Sequence, residues 1–198
     1  MTPLAVSLGL WAAWVVSWGA ASVWTRRTAA QPSIADQAAH LVPTIIGALL
    51  IAAGARLRMG AGHAPLGLVR LWATPAAVGW ALSGVTALGF AFTWWARIWL
   101  GSLWSSAVGR KEGHTIVASG PYAIVRHPIY TGLIAALLAL ALQLGSPLSL
   151  LGVALITFGF WTKARLEERF LSQELGSETY AAYRARTPML VPFWSQRG

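Results

Sequence analysis

Cysteine is absent from this chain of 198 residues, which excludes disulfides, thiolate zinc sites and cysteine nucleophiles. Charged side chains are scarce at 11%, whereas a soluble domain carries about 25%. No basic residue precedes Arg26, so we expect a retained first span instead of a cleaved signal peptide. No Gly-x-Gly-x-x-Gly motif occurs, and a Rossmann nucleotide fold is excluded. The sequence is 56% hydrophobic with twelve tryptophans, which is typical of an integral membrane protein.

Long apolar segments predict an all-α integral membrane fold with about five transmembrane helices. The predicted spans are roughly Leu4–Trp24, His40–Leu57, Leu71–Arg97, Ile129–Leu144 and Leu148–Lys163. The short turn Gly145-Ser146-Pro147 forces the last two spans into an antiparallel hairpin. We treat the chain as one membrane domain. Residues 1–70 hold two N-terminal spans, and residues 71–198 hold the third span, the hairpin and an amphipathic tail with a second short helix near Ser177.

The distribution of lysine and arginine predicts the orientation. With the N-terminus outside, twelve basic residues fall in inside segments and three, Arg56, Arg58 and Arg70, fall outside. The protein is thus expected in a plasma or cell inner membrane with its C-terminal tail in the cytosol. The net charge of +9 is then explained by topology and anionic headgroups and does not require binding to nucleic acid. We expect His40 and His63 on the opposite side from the tail, and Asp36 remote from other polar groups.

The segment Gly120–Gly132 is unusually polar for the apolar run that follows it. Arg126 can clamp a carboxylate, and His127 can exchange a proton near neutral pH. Tyr122 and Tyr130 each offer a ring face and a hydroxyl. Each residue alone fits an interfacial anchor, but the whole cluster, with the prolines and glycines that restrict it, indicates a binding site facing the cytosol.

Two adjacent carboxylates, Glu167 and Glu168, follow the last span. One interpretation is a solvated helix end paired with Lys163, Arg165 or Arg169. The other is that one carboxylate binds a cationic ammonium group while its neighbour faces solvent or an arginine. We expect no metal site, because His114 and His127 lack a metal-binding spacing and a carboxylate in a ligand pattern.

These motifs, taken together from Gly109 to Phe193, resemble the isoprenylcysteine carboxyl methyltransferase family. The pattern consists of Gly113-His114-Thr115-Ile116-Val117, Gly120-Pro121-Tyr122, Arg126-His127-Pro128-x-Tyr130-x-Gly132, Glu167-Glu168 and Gly176-x-x-x-Tyr180-x-x-Tyr183. Members of this family are small membrane enzymes that use S-adenosylmethionine, and phospholipid methyltransferases are related to them.

The resemblance also implies roles for individual residues. The cofactor pocket is expected to be lined by His114, Thr115, Ile116, Val117, Tyr122, Arg126, His127, Pro128, Ile129, Tyr130, Glu167 and Glu168, with Glu167 holding the cofactor's ammonium group. Family members commonly have an arginine for the substrate carboxylate four residues before that glutamate. This chain has Lys163 there, so Lys163, Arg165 and Arg97 are the candidates for orienting the substrate.

The implied activity is methyl transfer from S-adenosylmethionine to a lipophilic acceptor, most simply the carboxylate of an isoprenylcysteine-like amphiphile that arrives through the bilayer. Three alternatives stay open: N-methylation of a phospholipid amine, an NADPH-dependent membrane reductase with a similar hairpin, and a non-catalytic lipid-binding scaffold. The identity of the acceptor and the oligomeric state are not predicted by the sequence.

Overall fold

A computed structural model describes residues 1–22, 28–30, 34–58, 60, 71–101, 104, 110–111, 116–175 and 177–193. Its elements are helices α1 (Pro3–Ala21), α2 (Ile34–Arg58), α3 (Ala76–Leu100), α4 (Pro121–Ile124), α5 (Pro128–Leu144), α6 (Pro147–Leu175) and α7 (Ser177–Arg186), and strands β1 (Thr28–Ala30) and β2 (Arg110–Lys111). Within these residues α1, α2, α3 and α6 are long and apolar enough to cross a membrane, and α5 is a shorter apolar helix. The prediction of an all-α integral membrane fold is confirmed.

The helix boundaries differ from the sequence prediction in two informative places. The third span was expected from Leu71, but α3 begins at Ala76, after Pro75. The last span was expected to end at Lys163, whereas α6 continues as one helix to Leu175. Hydropathy predicts where a helix leaves the apolar region. It does not predict where the helix ends, because a helix continues as long as its backbone hydrogen bonds do. Glu167 and Glu168 therefore lie on the same continuous helix as the last span.

A small two-stranded ribbon was not predicted. β1 pairs with β2 in antiparallel register, with Thr28 opposite Lys111 and Ala30 opposite Arg110. Strands of two and three residues carry no periodic signal in a sequence. The ribbon joins the connection after α1 to the segment after α3, which requires both helices to end on the same side.

Helices α1, α3 and α6 run in one direction, and α2 and α5 run in the other. The contacts of α2 with α6 establish one pair: Gly47 lies against Gly152, while Gly54, further along α2, lies against Ser149, earlier in α6. The hairpin of α5 and α6 turns at Gly145, whose φ of 66° is the left-handed conformation that glycine adopts readily. The ends of α1, α3 and α6 and the starts of α2 and α5 thus lie at one end of the bundle.

Small residues bring the helices into close contact. A Cβ atom added to Gly89 in α3 would lie 2.6 Å from the Gly132 carbonyl oxygen in α5, and one added to Gly47 would lie 2.5 Å from that of Gly152. Such contacts replace the hydrophobic driving force that is missing between helices in lipid. They fix α5 against α3, and α6 against α2, before any polar group of the site is considered.

A buried polar cluster supports the bundle at the end remote from the motif. The side-chain amide of Gln143 donates to Ser7 Oγ at 2.8 Å and to the Gly79 carbonyl at 3.2 Å, and Ser7 and Ser83 share a hydrogen bond of 3.0 Å. Interhelical hydrogen bonds of this kind contribute about 0.6 kcal/mol each in a membrane protein. This cluster links α1, α3 and α5 where no cofactor residue lies.

The glycine contacts yield a prediction with a matched control. We expect Gly89→Ala to destabilise the protein by about 1–3 kcal/mol, because the new methyl group must push α5 away from α3. Gly84→Ala lies on the same helix with open space around it, and should be neutral or stabilising by up to about 1 kcal/mol. Thermal unfolding in detergent micelles measures both, and equal melting temperatures for the two variants would contradict the proposed close packing.

Candidate cofactor site at the start of the hairpin

Two prolines and one glycine shape the approach to α5. Pro121 begins α4 and Pro128 begins α5, positions at which the missing N–H costs nothing. Gly120 has a φ of 57°, and a Cβ there would lie 2.5 Å from Trp99 Cε2. The chain therefore bends sharply twice within eight residues. As a result Arg126 and His127 point across the base of α5 towards α6.

Glu168 is the buried centre of this region. Its Oε1 accepts a hydrogen bond from Arg126 Nε at 2.8 Å and lies 3.1 Å from His127 Nε2. Arg126 Nη1 also donates to the backbone carbonyls of Arg184, at 3.1 Å, and Thr187. The side chains of Arg126 and Glu168 are almost fully buried. This network ties the start of α5 to α6 and to the segment that follows α7.

The segment after α7 is held against α5 mainly by backbone groups. The amides of Arg126 and His127 donate to the carbonyls of Pro188, at 2.8 Å, and Met189, at 3.1 Å. Thr131 Oγ1 donates to the Leu190 carbonyl at 2.6 Å. These three bonds dock the tail along the first turn of α5, so the tail forms a wall of the site.

Helix α7 adds a further tie through its tyrosines. The Tyr183 hydroxyl donates to the Tyr122 carbonyl at 2.7 Å. Burial raises the pKa of Tyr122 and of Tyr183 well above the ordinary value for tyrosine. Both phenols stay protonated as donors. The second short helix predicted near Ser177 is confirmed.

Glu167 differs from its neighbour in accessibility. Its Oε1 accepts from the Tyr130 hydroxyl at 2.7 Å, and its Oε2 lies 3.4 Å from His127 Nδ1. The Glu167 side chain is 23% exposed, against 6% for Glu168. The Tyr130 ring stacks between His127 and Phe160, with centroids 5.6 Å and 5.0 Å away. The carboxylate of Glu167 is thus oriented by two donors and still reachable from outside.

His127 lies between both carboxylates, one at each ring nitrogen. Burial alone would lower the pKa of His127, but its hydrogen bonds to Glu167 and Glu168 outweigh burial and raise this pKa above the ordinary value. Only the protonated imidazolium has donors at both nitrogens. The carboxylates at its two ring nitrogens therefore favour the protonated form of His127.

The predicted cofactor residues are distributed unevenly around this cluster. Tyr122, Arg126, His127, Tyr130, Glu167 and Glu168 come together as described. Pro128 is buried at the start of α5, and Ile129 packs on the apolar cluster of Phe90, Leu133 and Ala136. Ile116 and Val117 are half-buried in a segment without regular secondary structure, whereas His114 and Thr115 lie outside the described residues.

The three basic residues predicted to orient the substrate lie in different places. The Nζ of Lys163 is 5.6 Å from the centroid of the Tyr130 ring, beside Glu167. Arg165 is exposed on another face of α6 and lies over the Trp161 ring at 5.4 Å. Arg97 is fully buried and donates to the carbonyls of Gly101 and Ala21 at 2.8 Å and 3.0 Å. Only Lys163 is brought to the Glu167 cluster by a described contact.

Two expectations about helix α2 were wrong. His40 was expected on the opposite side from the motif, but its carbonyl lies 2.9 Å from a Cβ added at Gly159, one turn before Lys163. Asp36 was expected to be remote from polar groups, yet its Oδ1 lies 4.0 Å from Arg169 Nη2. The reason is that α2 begins at the end of the bundle where α6 finishes. Following the alternation of spans more carefully would have placed both residues at this end.

Comparison with known proteins gives one family and several relatives. Residues 82–173 match the model of the isoprenylcysteine carboxyl methyltransferase (ICMT) family. The resemblance noted in the sequence is thereby confirmed. The matched segment is somewhat less than half of the chain. Arg126, His127, Tyr130, Glu167 and Glu168 all lie within the matched segment. Helices α1, α2 and α7 lie outside it, and so does the tail that docks on α5.

The relatives each match less than half of the chain. Protein-S-isoprenylcysteine O-methyltransferase B of Arabidopsis thaliana is 33% identical over 87 residues, which are 43% of this chain and 44% of that protein. The Xenopus laevis protein-S-isoprenylcysteine O-methyltransferase is 32% identical over 42% of this chain and 29% of its own length. The cobalt-zinc-cadmium resistance protein CzcN of Cupriavidus metallidurans is 32% identical over 47% and 43%, respectively. The chain thus spans less than half the length of these relatives.

The charge on His127 predicts how stability depends on pH. Because its pKa is raised in the folded protein, its contribution is complete below the unfolded-state value, ordinarily about 6.5, and is lost as the pH rises through the folded-state value. We therefore expect the melting temperature of the wild type to be higher than that of His127→Gln, and the difference to be largest at low pH. The difference between the two proteins, measured in detergent from about pH 5 to pH 9, should shrink as the pH rises. A difference that grows with pH would contradict this assignment.

Proposed function

We propose that this protein is an S-adenosylmethionine-dependent methyltransferase that acts on the carboxylate of a lipophilic, isoprenylcysteine-like acceptor. The observation that carries the proposal is the position of Glu167, a partly exposed carboxylate oriented by Tyr130 and His127 inside the segment that matches the ICMT family. An oriented carboxylate beside an apolar hairpin suits a ligand that combines a cationic group with an amphiphilic partner.

The residues present fit the charges of S-adenosylmethionine. The ligand's ammonium group requires an accessible anion, and Glu167 meets that requirement better than the buried Glu168. Its carboxylate requires N–H donors, and Arg126 Nη2 is a buried donor with no hydrogen-bond partner among the described residues. When bound, S-adenosylmethionine supplies a methyl group activated by a positively charged sulfur. Glu167 and Arg126 are the residues that would hold its amino-acid end.

On the acceptor side we assign Lys163. Its ammonium group lies 5.6 Å from the centroid of the Tyr130 ring, and Lys163 precedes Glu167 by about one turn of α6. A lysine there can attract and orient an acceptor carboxylate, although it lacks the two-pronged geometry of arginine. Because the carboxylate of the acceptor is itself the nucleophile, the protein has to supply alignment and exclusion of water.

The docked tail suits that second task. Three hydrogen bonds hold the tail at the start of α5. The tail therefore covers the site from the side remote from the apolar bundle. We propose that this end faces the cytosol, with the N-terminus outside, in the plasma or cell inner membrane. The excess of basic residues among the segments at this end supports that orientation. The acceptor would then enter from the bilayer between helices.

The role of Glu167 is tested by Glu167→Gln, with Glu178→Gln on the exposed face of α7 as a control of equal charge change. Losing one hydrogen bond to a charged group costs about 1.5–3 kcal/mol, so we expect affinity for S-adenosylmethionine to fall about tenfold to a hundredfold. Calorimetry with the purified protein measures this affinity. Unchanged affinity in Glu167→Gln would sink the assignment.

The same calorimetry separates the alternative functions. Binding of NADPH instead of S-adenosylmethionine would favour the membrane reductase, and binding of neither would favour the lipid-binding scaffold. Transfer of a [3H]methyl group to a native membrane lipid extract, followed by identification of the product, distinguishes a carboxylate acceptor from a phospholipid amine.

Lys163 gives an independent prediction for the acceptor side. We expect Lys163→Gln to raise the KM for an S-farnesylcysteine derivative by about tenfold while the affinity for S-adenosylmethionine stays within about twofold of the wild type, because a single charge contact of about 1.4 kcal/mol is lost. Lys163→Arg should retain most of the activity, and Arg186→Gln on α7 serves as a control. An equal loss of affinity for S-adenosylmethionine in Lys163→Gln would show that Lys163 acts on the cofactor instead.

A further inference from the structure

One face of α6 is exposed from Leu151 to Gln173, and its exposed side chains change from apolar to basic after Trp161. Its exposed side chains follow helical spacing, with Leu151, Phe158 and Trp161 in the apolar part and Arg165 and Arg169 beyond them. The Phe158 and Trp161 rings stack with their centroids 5.9 Å apart. An apolar stripe that ends in arginines marks the level at which lipid tails give way to headgroups.

At that level the stripe opens into a cleft of about 610 Å³ between α6, α7 and the start of α2. Arg165 and Arg169 line it from α6, and Arg184 lines it from α7. Two carboxylates also face it: Asp36, which lies 4.0 Å from Arg169, and Glu168, which is already bound by Arg126 and His127. The cleft therefore has a surplus of positive charge that the described ion pairs do not neutralise.

We propose that this cleft binds the phosphate group of an anionic phospholipid whose acyl chains lie along the Phe158 and Trp161 stripe. Guanidinium groups present paired N–H donors that match phosphate oxygens. The guanidinium carbon of Arg165 lies 5.4 Å from the Trp161 ring, which holds the cation at the polar edge of the aromatic patch. One ligand with an anionic head and apolar tails satisfies both halves of this surface.

The cleft differs from a general basic surface because its arginines come from two helices. Arg184 belongs to α7, and its backbone carbonyl accepts a hydrogen bond from Arg126 Nη1 at 3.1 Å. A phosphate bound between Arg165 and Arg184 thus links α6 to the helix that anchors the tail. The lipid is expected to stabilise the docked tail, which is independent of whether the protein transfers methyl groups.

The test measures the melting temperature of the full chain in a nonionic detergent with added phosphatidylglycerol, phosphatidylcholine or inorganic phosphate. We expect phosphatidylglycerol to raise the melting temperature. In the double variant Arg165→Gln with Arg184→Gln, the lipid concentration that gives half of this effect should rise by at least about tenfold. Arg186→Gln is the matched control for the single variant Arg184→Gln, because each removes one positive charge from α7 and only Arg184 lines the cleft. These side chains are exposed, so the double variant should fold, and the two single variants provide the same comparison if it does not.

Three results would overturn the proposal. Equal stabilisation by phosphatidylcholine would show that the surface does not select anionic lipid. Equal weakening of lipid binding by Arg184→Gln and Arg186→Gln would show that only total charge matters. Stabilisation by inorganic phosphate to the same extent would identify a soluble phosphate as the ligand in place of a lipid. None of these readouts involves S-adenosylmethionine, so failure here leaves the methyltransferase proposal standing, and the reverse also holds.

Discussion

The arrangement of the site depends on one buried carboxylate. Glu168 is removed from water, which is costly for an anion, and it is compensated by the cations of Arg126 and His127. Such a pair adds little net stability compared with apolar packing, but losing one partner typically costs about 3–5 kcal/mol. Its contribution is therefore selective: only an arrangement that brings the start of α5, the end of α6 and the tail together satisfies all three groups.

The exposure of Glu167 follows from this use of Glu168. Adjacent residues on a helix point about 100° apart, so one carboxylate turns into the network while the other reaches its edge. His127 contacts both and orients Glu167 with the nitrogen that Glu168 leaves unoccupied. A ligand-binding group that is fixed by a neighbour's ion pair loses little freedom on binding, which favours affinity.

The sequence was sufficient to predict the membrane fold, the hairpin, the short helix near Ser177 and the polar motif, because each depends on local hydropathy or turn residues. The residues by themselves did not show which of the two glutamates is accessible, and the assignment of the ammonium group to Glu167 came from the resemblance alone. The sequence also did not predict the ribbon of Thr28–Ala30 with Arg110–Lys111, whose pairing depends on contacts between distant segments. The side on which His40 and Asp36 lie was predictable from the alternation of the spans, whereas their contacts with α6 were not, because these depend on how distant helices pack.

The hairpin turn at Gly145 fixes which residues of α5 and α6 lie at the same level in the bundle. Helix α5 has 17 residues and rises about 25 Å, so an equal length of α6 from Pro147 reaches Lys163, level with Pro128. Inserting one residue in either arm would shift everything beyond it by about 1.5 Å and rotate it by about 100°. The distance between Arg126 and Glu168 along the chain is therefore fixed by geometry. A change of length outside the two arms, such as in the connection between α3 and α4, would leave this spacing unchanged.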